Sequence, residues 1–405
     1  MPEETKKPRK LPRSVVSLSF VSLFTDISSE MIYPLLPQFL TNVLGASATT
    51  LGAIEGISES TASFLKLASG IMADKVKRRK PLVLGGYTFS SLIRPLVGLA
   101  QTWPFVLFVR FTDRIGKGIR TSPRDALIAD VTPREDRGRA FGLNRSLDHL
   151  GAVFGPLITA GLLALFTRYE LGGVRQVFLW AFVPGVVAIL ILIFGVKEKD
   201  RVFEQKKLNL KGDWKSLGKN FKFLMVALVI FTLGNSTDAF LLLRLGEVFS
   251  HGMPLEVSVF TVSILWSGFH VIKSISTYIG GRLSDKFGRK SLIFTGWILY
   301  AVVYLVFAFS ELSITLIFTF MVYGIYYGLT EPCEKAFVAD LVPDDLRGTA
   351  FGYYNSAIGF AALPASLMFG LLKDSFGPVL AFSVGACLAG IASLMLMMVK
   401  TNRSA

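Results

Sequence analysis

The chain has 405 residues, with 43 Lys and Arg against 29 Asp and Glu, so its formal net charge at neutral pH is +14. Hydrophobic residues make up 52% and charged residues only 18%, whereas a soluble chain carries about 25% charged residues. This composition excludes a disordered chain, a disulfide scaffold and a collagen-like fibre. A positive balance ordinarily suggests a nucleic-acid partner, so the positions of the basic residues must decide between that class and a membrane protein.

Long apolar runs occur twelve times along the chain. They lie near residues 14–40, 49–73, 81–101, 103–125, 138–166, 175–196, 221–245, 256–281, 291–309, 313–338, 348–371 and 378–399. A helix needs about 20 such residues to cross a hydrocarbon core about 30 Å thick. The polar and apolar alternation of membrane strands is absent, and the first run is too long for a signal-peptide core. The sequence therefore predicts an all-α membrane protein with twelve transmembrane helices, which we number as spans 1 to 12.

Basic residues gather in alternate loops between these runs. They are Lys6, Lys7, Arg9, Lys10 and Arg13 before span 1, Lys75, Lys77, Arg78, Arg79 and Lys80 after span 2, Arg134 and Arg137 after span 4, eight lysines and arginines at 197–220, and Arg282, Lys286, Arg289 and Lys290 after span 8. Two of the other loops, 41–50 and 101–104, contain no Lys or Arg. The positive-inside rule then places both termini and the middle loop in the cytoplasm, for a bacterial-type inner (plasma) membrane. The net charge thus indicates topology and attraction to membrane lipids, with no nucleic-acid partner.

Two polar motifs occur once in each half of the chain. The pattern Asp-x-x-Pro-x-x-x-Arg-Gly-x-Ala-Phe-Gly stands at 130–142 and again at 340–352, an offset of 210. The second motif stands at 70–79 and 281–290, after spans 2 and 8. Chance similarity between apolar helices does not explain identical polar residues in loops. We therefore predict two parallel six-helix halves, 1–196 and 221–405, joined by a cytoplasmic linker at 197–220, with a substrate pathway at their interface.

The loop motif resembles a signature of the major facilitator superfamily, G-x-x-x-D-[RK]-x-G-R-[RK]. The copy at 281–290 fits this pattern, whereas the copy at 70–79 has Lys77 where the signature has a glycine. Such a glycine usually serves a tight turn. The resemblance covers nearly the whole chain and implies a secondary transporter that moves a small-molecule substrate by rocker-switch alternating access.

Span 5 carries a narrower resemblance. Gly142, Gly151 and Gly155 with Pro156 resemble the G-x8-G-x3-G-P motif of proton-coupled exporters in the superfamily. Small residues permit close approach of helices, and proline bends them. The alternative is a set of packing glycines, which are common in membrane helices.

Acidic residues inside the apolar runs are candidates for a substrate and proton pathway, because a charge at the bilayer centre costs at least about 2.5–3.5 kcal/mol. Asp26 lies about 18 Å into span 1, and Glu30 lies one turn further on the same face. Repulsion between two such carboxylates favours proton binding by one of them. Asp238 in span 7 is 208 positions after Glu30, and Asn235 lies beside it on a helix weakened by Gly234. We expect all four polar residues to line the pathway.

Span 4 adds Arg110, Asp113 and Arg114 to the predicted pathway. One of the two arginines resembles the family's proton-relay arginine, and we expect one of them to pair with Asp113 or with an acid of span 1. Glu55 and Glu59 in span 2 form another pair one turn apart, for which a gate and a helix-packing role are both open.

The histidines inside the spans are a second group of candidates. Asp148 and His149 in span 5 are either a titrating pair or two separate hydrogen-bonded groups. His270 and Lys273 in span 8 lack an obvious acidic partner in the sequence.

The repeat predicts a charge latch at the cytoplasmic side. Arg124 and Asp125 end span 4, and Glu334 and Lys335 stand 210 positions later with the signs reversed. We hypothesise that these pairs meet when the inner mouth closes, with Glu331 taking part. Gating is also expected of the loop-motif residues, which are Asp74, Arg78, Asp285 and Arg289.

The interpretation favoured by these patterns is proton-coupled export of a small amphipathic molecule by a monomer. One alternative is uptake or exchange of an anionic metabolite or chelate through Arg114 and Lys117. Another is a metal-ion carrier that uses the acids and histidines of the spans. No nucleophile elbow, phosphate loop or zinc motif is present, so we expect neither an enzyme nor a cofactor.

Overall fold

Long helices make up the structure. The computed structural model describes residues 11–74, 76–133, 137–166, 172–198, 217–250, 252, 254–342 and 347–400, and no strand occurs in these ranges. The helices are α1 (Arg13–Glu30), α2 (Ala48–Asp74), α3 (Lys80–Ile93), α4 (Trp103–Val131), α5 (Arg137–Phe166), α6 (Gly172–Trp180), α7 (Phe182–Gly195), α8 (Lys219–Gly234), α9 (Ala239–Ser250), α10 (Leu255–Phe287), α11 (Arg289–Phe309), α12 (Ser313–Asp340) and α13 (Arg347–Met398). Short helical turns follow α1, at Tyr33–Leu35, Leu36–Gln38 and Phe39–Val43, and another follows α3 at Arg94–Leu99.

The helix lengths agree with a membrane protein. In the described ranges, nine helical stretches are long and apolar enough to cross a membrane. Helices α2 and α4, of 27 and 29 residues, match predicted spans 2 and 4 in length but carry several charged side chains. Helix α13 contains both predicted spans 11 and 12, divided at Gly377, where φ is 83°. The all-α membrane fold is therefore confirmed, and the helices are consistent with twelve spans.

Two of the predicted spans are interrupted at their polar positions. Helix α1 ends at Glu30, and the chain continues through turns that contain Pro34 and Pro37, which supply no backbone N–H. Helix α8 ends at Gly234, where we expected a weakened helix, and α9 begins only at Ala239. Broken helices of this kind expose backbone polar groups and are typical of binding sites in transporters.

The repeated motifs make equivalent contacts. The Arg79 guanidinium pairs with Asp130, and the Arg289 guanidinium pairs with Asp340. Each residue of the second pair stands 210 positions after its counterpart in the first. Each arginine thus joins the loop motif of its own half to the second repeated motif. The glycine of the better copy, Gly288, has a φ of 84°, as the predicted tight turn requires.

The first part of the chain packs against the second along α2 and α13. A Cβ atom at Gly52 would lie 2.2 Å from the carbonyl oxygen of Ser366, so this crossing depends on the absence of a side chain. At the same end of α2, Asp374 accepts hydrogen bonds from the amides of Ala48 and Thr49 at 2.9 and 2.7 Å. The carboxylate therefore caps the helix N-terminus from the other side of the interface.

Helices α5 and α10 make the second contact between these parts. The Ser267 hydroxyl donates to the carbonyl of Val153 at 2.9 Å. Together the two contacts bring α1, α5, α9 and α10 around the broken segments, where the candidate site lies.

Candidate functional site

Two buried ion pairs hold α4 against its neighbours. The Arg110 guanidinium donates to Glu55 on α2 at 2.5 and 3.1 Å. The Arg94 guanidinium donates to Asp113 at 3.0 and 3.2 Å and also to the Thr25 carbonyl at 3.1 Å. Both carboxylates are about as buried as the core, with 2% of each side chain exposed. Glu55 therefore makes a helix-packing contact between α2 and α4, and buried pairs of this kind are costly to break.

Arg94 was missed by the sequence reasoning. It follows the apolar stretch of α3 directly and precedes Pro95, and a charged residue inside an apolar run was the signal that could have identified it. Arg94 takes the tight contact with Asp113 that we had expected of Arg110 or Arg114, and Arg114 lies 4.0 Å from that carboxylate.

Arg114 is less tightly bound than the two arginines around it. Its nearest carboxylate is Glu59, at 3.5 Å, and Glu59 is 43% exposed. Its Nε atom is buried without a hydrogen-bond partner. The side chain of Lys117, one turn further along α4, makes no hydrogen bond or ion pair within the described residues; its backbone carbonyl accepts the hydroxyl of Thr121 at 2.6 Å. This part of α4 therefore has N–H donors that are free to bind a ligand.

The acids of α1 lie against the glycines of α5. A Cβ at Gly151 would lie 2.8 Å from the Asp26 Cβ, and a Cβ at Gly155 would lie 2.8 Å from the Glu30 Cβ. The small residues of span 5 thus permit close helix approach, as their pattern predicted. They seat α5 directly beside the two carboxylates.

Asp26 meets a second carboxylate on α5. Asp148 lies close to Asp26 and pairs with Arg145 at 3.2 Å. The predicted pairing of Asp148 with His149 is therefore not its main contact, although both side chains are partly buried in the same region. Two carboxylates in contact inside a membrane protein repel each other unless a proton lies between them.

Glu30 makes a contact that the sequence did not indicate. Its Oε2 accepts a hydrogen bond from the indole N–H of Trp266 on α10 at 2.8 Å. The imidazole Nε2 of His270 lies 4.0 Å from the same oxygen. The expectation that His270 lacks an acidic partner is therefore wrong, because α1 supplies one.

Asp238 is held by tyrosines in the gap between α8 and α9. The hydroxyls of Tyr323 and Tyr327 donate to its two oxygens at 2.7 and 2.8 Å. The Lys273 ammonium lies 3.7 Å from the centre of the Tyr327 ring, a close cation–π contact. Asn235 donates to another hydroxyl of α12, that of Tyr326, at 3.2 Å.

These tyrosines belong to a larger aromatic cluster, which we call the aromatic wall. It consists of Trp266, Phe269, Phe320, Tyr323, Tyr326 and Tyr327, with successive ring centres 4.9 to 6.5 Å apart. The sequence reasoning did not single these residues out, although the spacing of Tyr323, Tyr326 and Tyr327 puts them on one helix face. Glu30 of α1 and Asp238 thus lie at the edge of an aromatic surface from α10 and α12.

The predicted latch residues lie apart in this conformation. Arg124 pairs with Asp125 at 2.8 Å, and Glu334 accepts hydrogen bonds from Trp297 and Tyr354 at 3.0 and 2.9 Å. No hydrogen bond or ion pair joins the two groups in the described part of the chain, so the latch remains a prediction.

The other predicted gating residues have simpler surroundings. Lys335 lies 3.6 Å from Glu331 one turn earlier, and both side chains are partly exposed. Arg78 is exposed next to Arg79, which makes the repeated ion pair. The side chains of Asp74 and Asp285 lie outside the described residues, as does most of the predicted linker. Among the described residues, no group of three or more His, Cys, Asp or Glu could hold a metal ion.

Comparison with known proteins agrees with this architecture. A family model described as Major Facilitator Superfamily matches residues 18–269 and 251–405. An uncharacterised MFS-type transporter of Methanocaldococcus jannaschii is 36% identical over 400 residues, which cover 98% of this chain and 97% of the relative. The multi-drug resistance efflux pump PmrA of Streptococcus pneumoniae is 24% identical over 329 residues, 80% of each chain.

Solved structures show the same fold. A D-xylose-proton symporter has a TM-score of 0.72 at 15% identity, with 96% of this chain and 97% of the symporter covered. The helical fold, the repeated motifs and the match over nearly the whole length show that this chain is an integral membrane protein of the Major Facilitator Superfamily, a family of transporters.

Proposed function

We propose that this transporter exports a small amphipathic molecule in exchange for protons, by alternating access between two six-helix halves. The observation that carries the proposal is the close packing of α1 on α5 at Asp26, where a Cβ at Gly151 would lie 2.8 Å from the Asp26 Cβ; this packing brings the carboxylate of Asp148, one turn before Gly151, close to that of Asp26. Such a site binds a proton favourably when it is sealed from water and releases it when water or a cationic group reaches it.

The aromatic wall supports an amphipathic substrate. Its rings offer apolar surface, and Asp238 and Glu30 place carboxylates at its edge. Aromatic surface with a few polar groups is typical of small-molecule sites. The likeness to a multi-drug resistance efflux pump supports the export direction, and the fold shared with a proton symporter supports proton coupling.

The test is transport by the purified protein in liposomes. Ethidium, an amphipathic cation, serves as the probe, and its movement is followed after a pH gradient is imposed. We expect gradient-driven movement with the unaltered protein and its loss in Asp26→Asn. Ser375→Ala is the control, because this side chain is exposed and lies outside the proposed pathway. Equal gradient-driven rates in Asp26→Asn and Ser375→Ala would refute the coupling role of Asp26.

A second candidate is uptake or exchange of an anionic metabolite. The specific observation in its favour is the unsatisfied Nε of Arg114, with Lys117 one turn away on the same helix. A carboxylate or phosphate matches the geometry of a guanidinium. Radiolabelled citrate replaces ethidium in the same assay. Citrate movement that is lost in Lys117→Gln, with no ethidium movement, would favour this candidate over export of amphipathic molecules.

We also propose that both termini and the linker at 197–220 lie in the cytoplasm, on the basis of the basic loops. With this orientation, the α2–α13 crossing at Gly52 and the Asp374 cap lie at the outer side. The exposed charges Arg145, Lys335 and Asp125 lie toward the cytoplasm. Cysteine labelling of intact cells at Gln101 and at Lys77, with an impermeant reagent, tests the orientation: we expect reaction only at Gln101.

A further inference from the structure

His270 has an unusual position for a polar side chain. Its residue is 8% exposed, and neither Nδ1 nor Nε2 has a hydrogen-bond partner. The ring is flanked by the aromatic rings of Trp266 and Phe269, with centres 4.7 and 5.2 Å away. An unsatisfied buried polar group destabilises the fold, and such groups in natural proteins often have a functional explanation.

The nearest acid is on a different helix and in the other predicted half. Glu30 Oε2 lies 4.0 Å from His270 Nε2 and already accepts the Trp266 N–H at 2.8 Å. A hydrogen bond between a charged nitrogen and a carboxylate is about 2.7–2.9 Å long. The two groups are therefore one small displacement away from a direct bond between α1 and α10.

Other charged groups lie close to this pair on several helices. They are Asp26 on α1, Arg114 and Lys117 on α4, His149 on α5 and Lys273 on α10. Asp148, Asp238 and Glu331 lie next to members of this group. Among them, Lys273 makes a cation–π contact with the Tyr327 ring, and Asp238 accepts hydrogen bonds from two tyrosine hydroxyls. None of these contacts involves the imidazole, so the unprotonated nitrogen of the neutral ring stays available to a proton.

We propose that His270 and Glu30 form a proton site that ties α1 to α10. A proton that arrives from water binds to Nε2 of the neutral imidazole, and the new N–H donates to Glu30 Oε2. When the proton leaves to water, the N–H bond breaks, the imidazole is neutral again, and Nε2 and Oε2 return to the separation of 4.0 Å seen here. No other bond changes, and one proton enters and leaves in each cycle.

This inference rests on the proposed proton coupling and adds a second site to it. Asp26 and Asp148 form a proton site within one predicted half, whereas the pair of Glu30 and His270 crosses between the halves. Occupation of the second site therefore acts directly on the contact that has to break when the halves rock.

Trp266 provides a test that needs no substrate, because a protonated imidazole in contact with an indole quenches its fluorescence. The emission of Trp266 is obtained by subtracting the fluorescence of Trp266→Phe from that of the unaltered protein, with both measured from pH 4 to pH 9 in detergent. We expect a sigmoidal fall of this emission toward low pH, and its loss in His270→Asn. In Glu30→Gln the midpoint should move to lower pH by about one unit, the effect of removing a neighbouring negative charge.

The control is His251→Gln, which changes a histidine between the candidate spans and should leave the titration unchanged. An unchanged titration in His270→Asn would overturn the proposal. If His270→Asn fails to fold, ¹⁵N-histidine NMR of the protein with only His251→Gln gives the same answer. One of its two remaining imidazoles should titrate, and Glu30→Gln should shift it; no shift would contradict the pairing.

The two proposals fail in different ways. Gradient-driven ethidium movement with a Trp266 titration that ignores His270 would refute this site and leave proton-coupled export intact. A His270-dependent titration without any gradient-driven movement of the probe would refute the export proposal and keep the proton site.

Discussion

The hydrogen bonds of Asp374 predict that one carboxylate controls how often the α2–α13 crossing opens. The side chain accepts two backbone N–H groups of α2 and the hydroxyl of Thr49, at 2.5 Å. The two backbone N–H groups belong to the first turn of a helix, where they have no intrahelical hydrogen-bond partner. The contact is present only while the predicted outer ends are packed together, so Asp374→Ala should destabilise that state selectively.

The size of the effect follows from capping energies. Replacement of a capping side chain by alanine costs about 0.5–2 kcal/mol. The packed state should therefore lose about two- to thirtyfold in population relative to the separated state, since about 1.4 kcal/mol corresponds to a factor of ten. The acidic charge at a helix N-terminus adds to this preference, which makes Asp374→Asn a milder variant than Asp374→Ala.

Distances between spin labels measure this population. Labels are placed at Gln101 and Leu312, both exposed near the predicted outer ends, after replacement of the two cysteines of the chain, Cys333 and Cys387. Asp374→Ala should transfer part of the distribution to longer distances.

Ser375→Ala is the matched control, because this neighbour is exposed and makes no hydrogen bond within the described residues. Identical distance distributions for Asp374→Ala and Ser375→Ala would show that the cap does not hold the two helix ends together.

Two further predictions concern packing. Glu55→Gln leaves the Arg110 charge buried without its partner, so the protein should lose about 3–5 kcal/mol of stability. Thermal unfolding in detergent measures this loss, and the double variant with Arg110→Gln should recover part of it. Equal melting temperatures for Glu55→Gln and the unaltered protein would contradict the pairing. Gly52→Ala puts a methyl group 2.2 Å from the Ser366 carbonyl oxygen, so the same spin-label pair should report separated outer ends. Gly85→Ala is the control, because nothing lies within 4 Å of the added atom. Matching distance distributions for the two variants would count against close packing at Gly52.

The repeat could be predicted from the sequence because both copies keep their polar residues at a fixed offset. The sequence could not show that Arg79 and Asp130 bind each other, or that Arg289 and Asp340 do the same. These partners are about 50 positions apart and belong to separate motifs, so no local pattern connects them.

Helix interruption was predictable only in part. Gly234 and the prolines after Glu30 are local signals, and the structure breaks both helices there. The turns themselves depend on neighbours, because freed backbone groups in a membrane must be satisfied by other helices. The hydroxyl of Tyr300, for example, donates to the Gly234 carbonyl at 3.0 Å.

The sequence by itself determined that this chain is a helical membrane protein of the transporter type, with acids and cations inside its spans. Hydropathy, loop charge and motif spacing are properties of short segments. In a bilayer, hydropathy determines which segments span the membrane, and loop charge determines their orientation. Only the tertiary structure decided which charges meet: Arg94 with Asp113, Glu55 with Arg110, and Glu30 with a tryptophan and a histidine about 240 positions away. Each of those pairings depends on how two helices cross, and helix crossings are set by packing over the whole molecule.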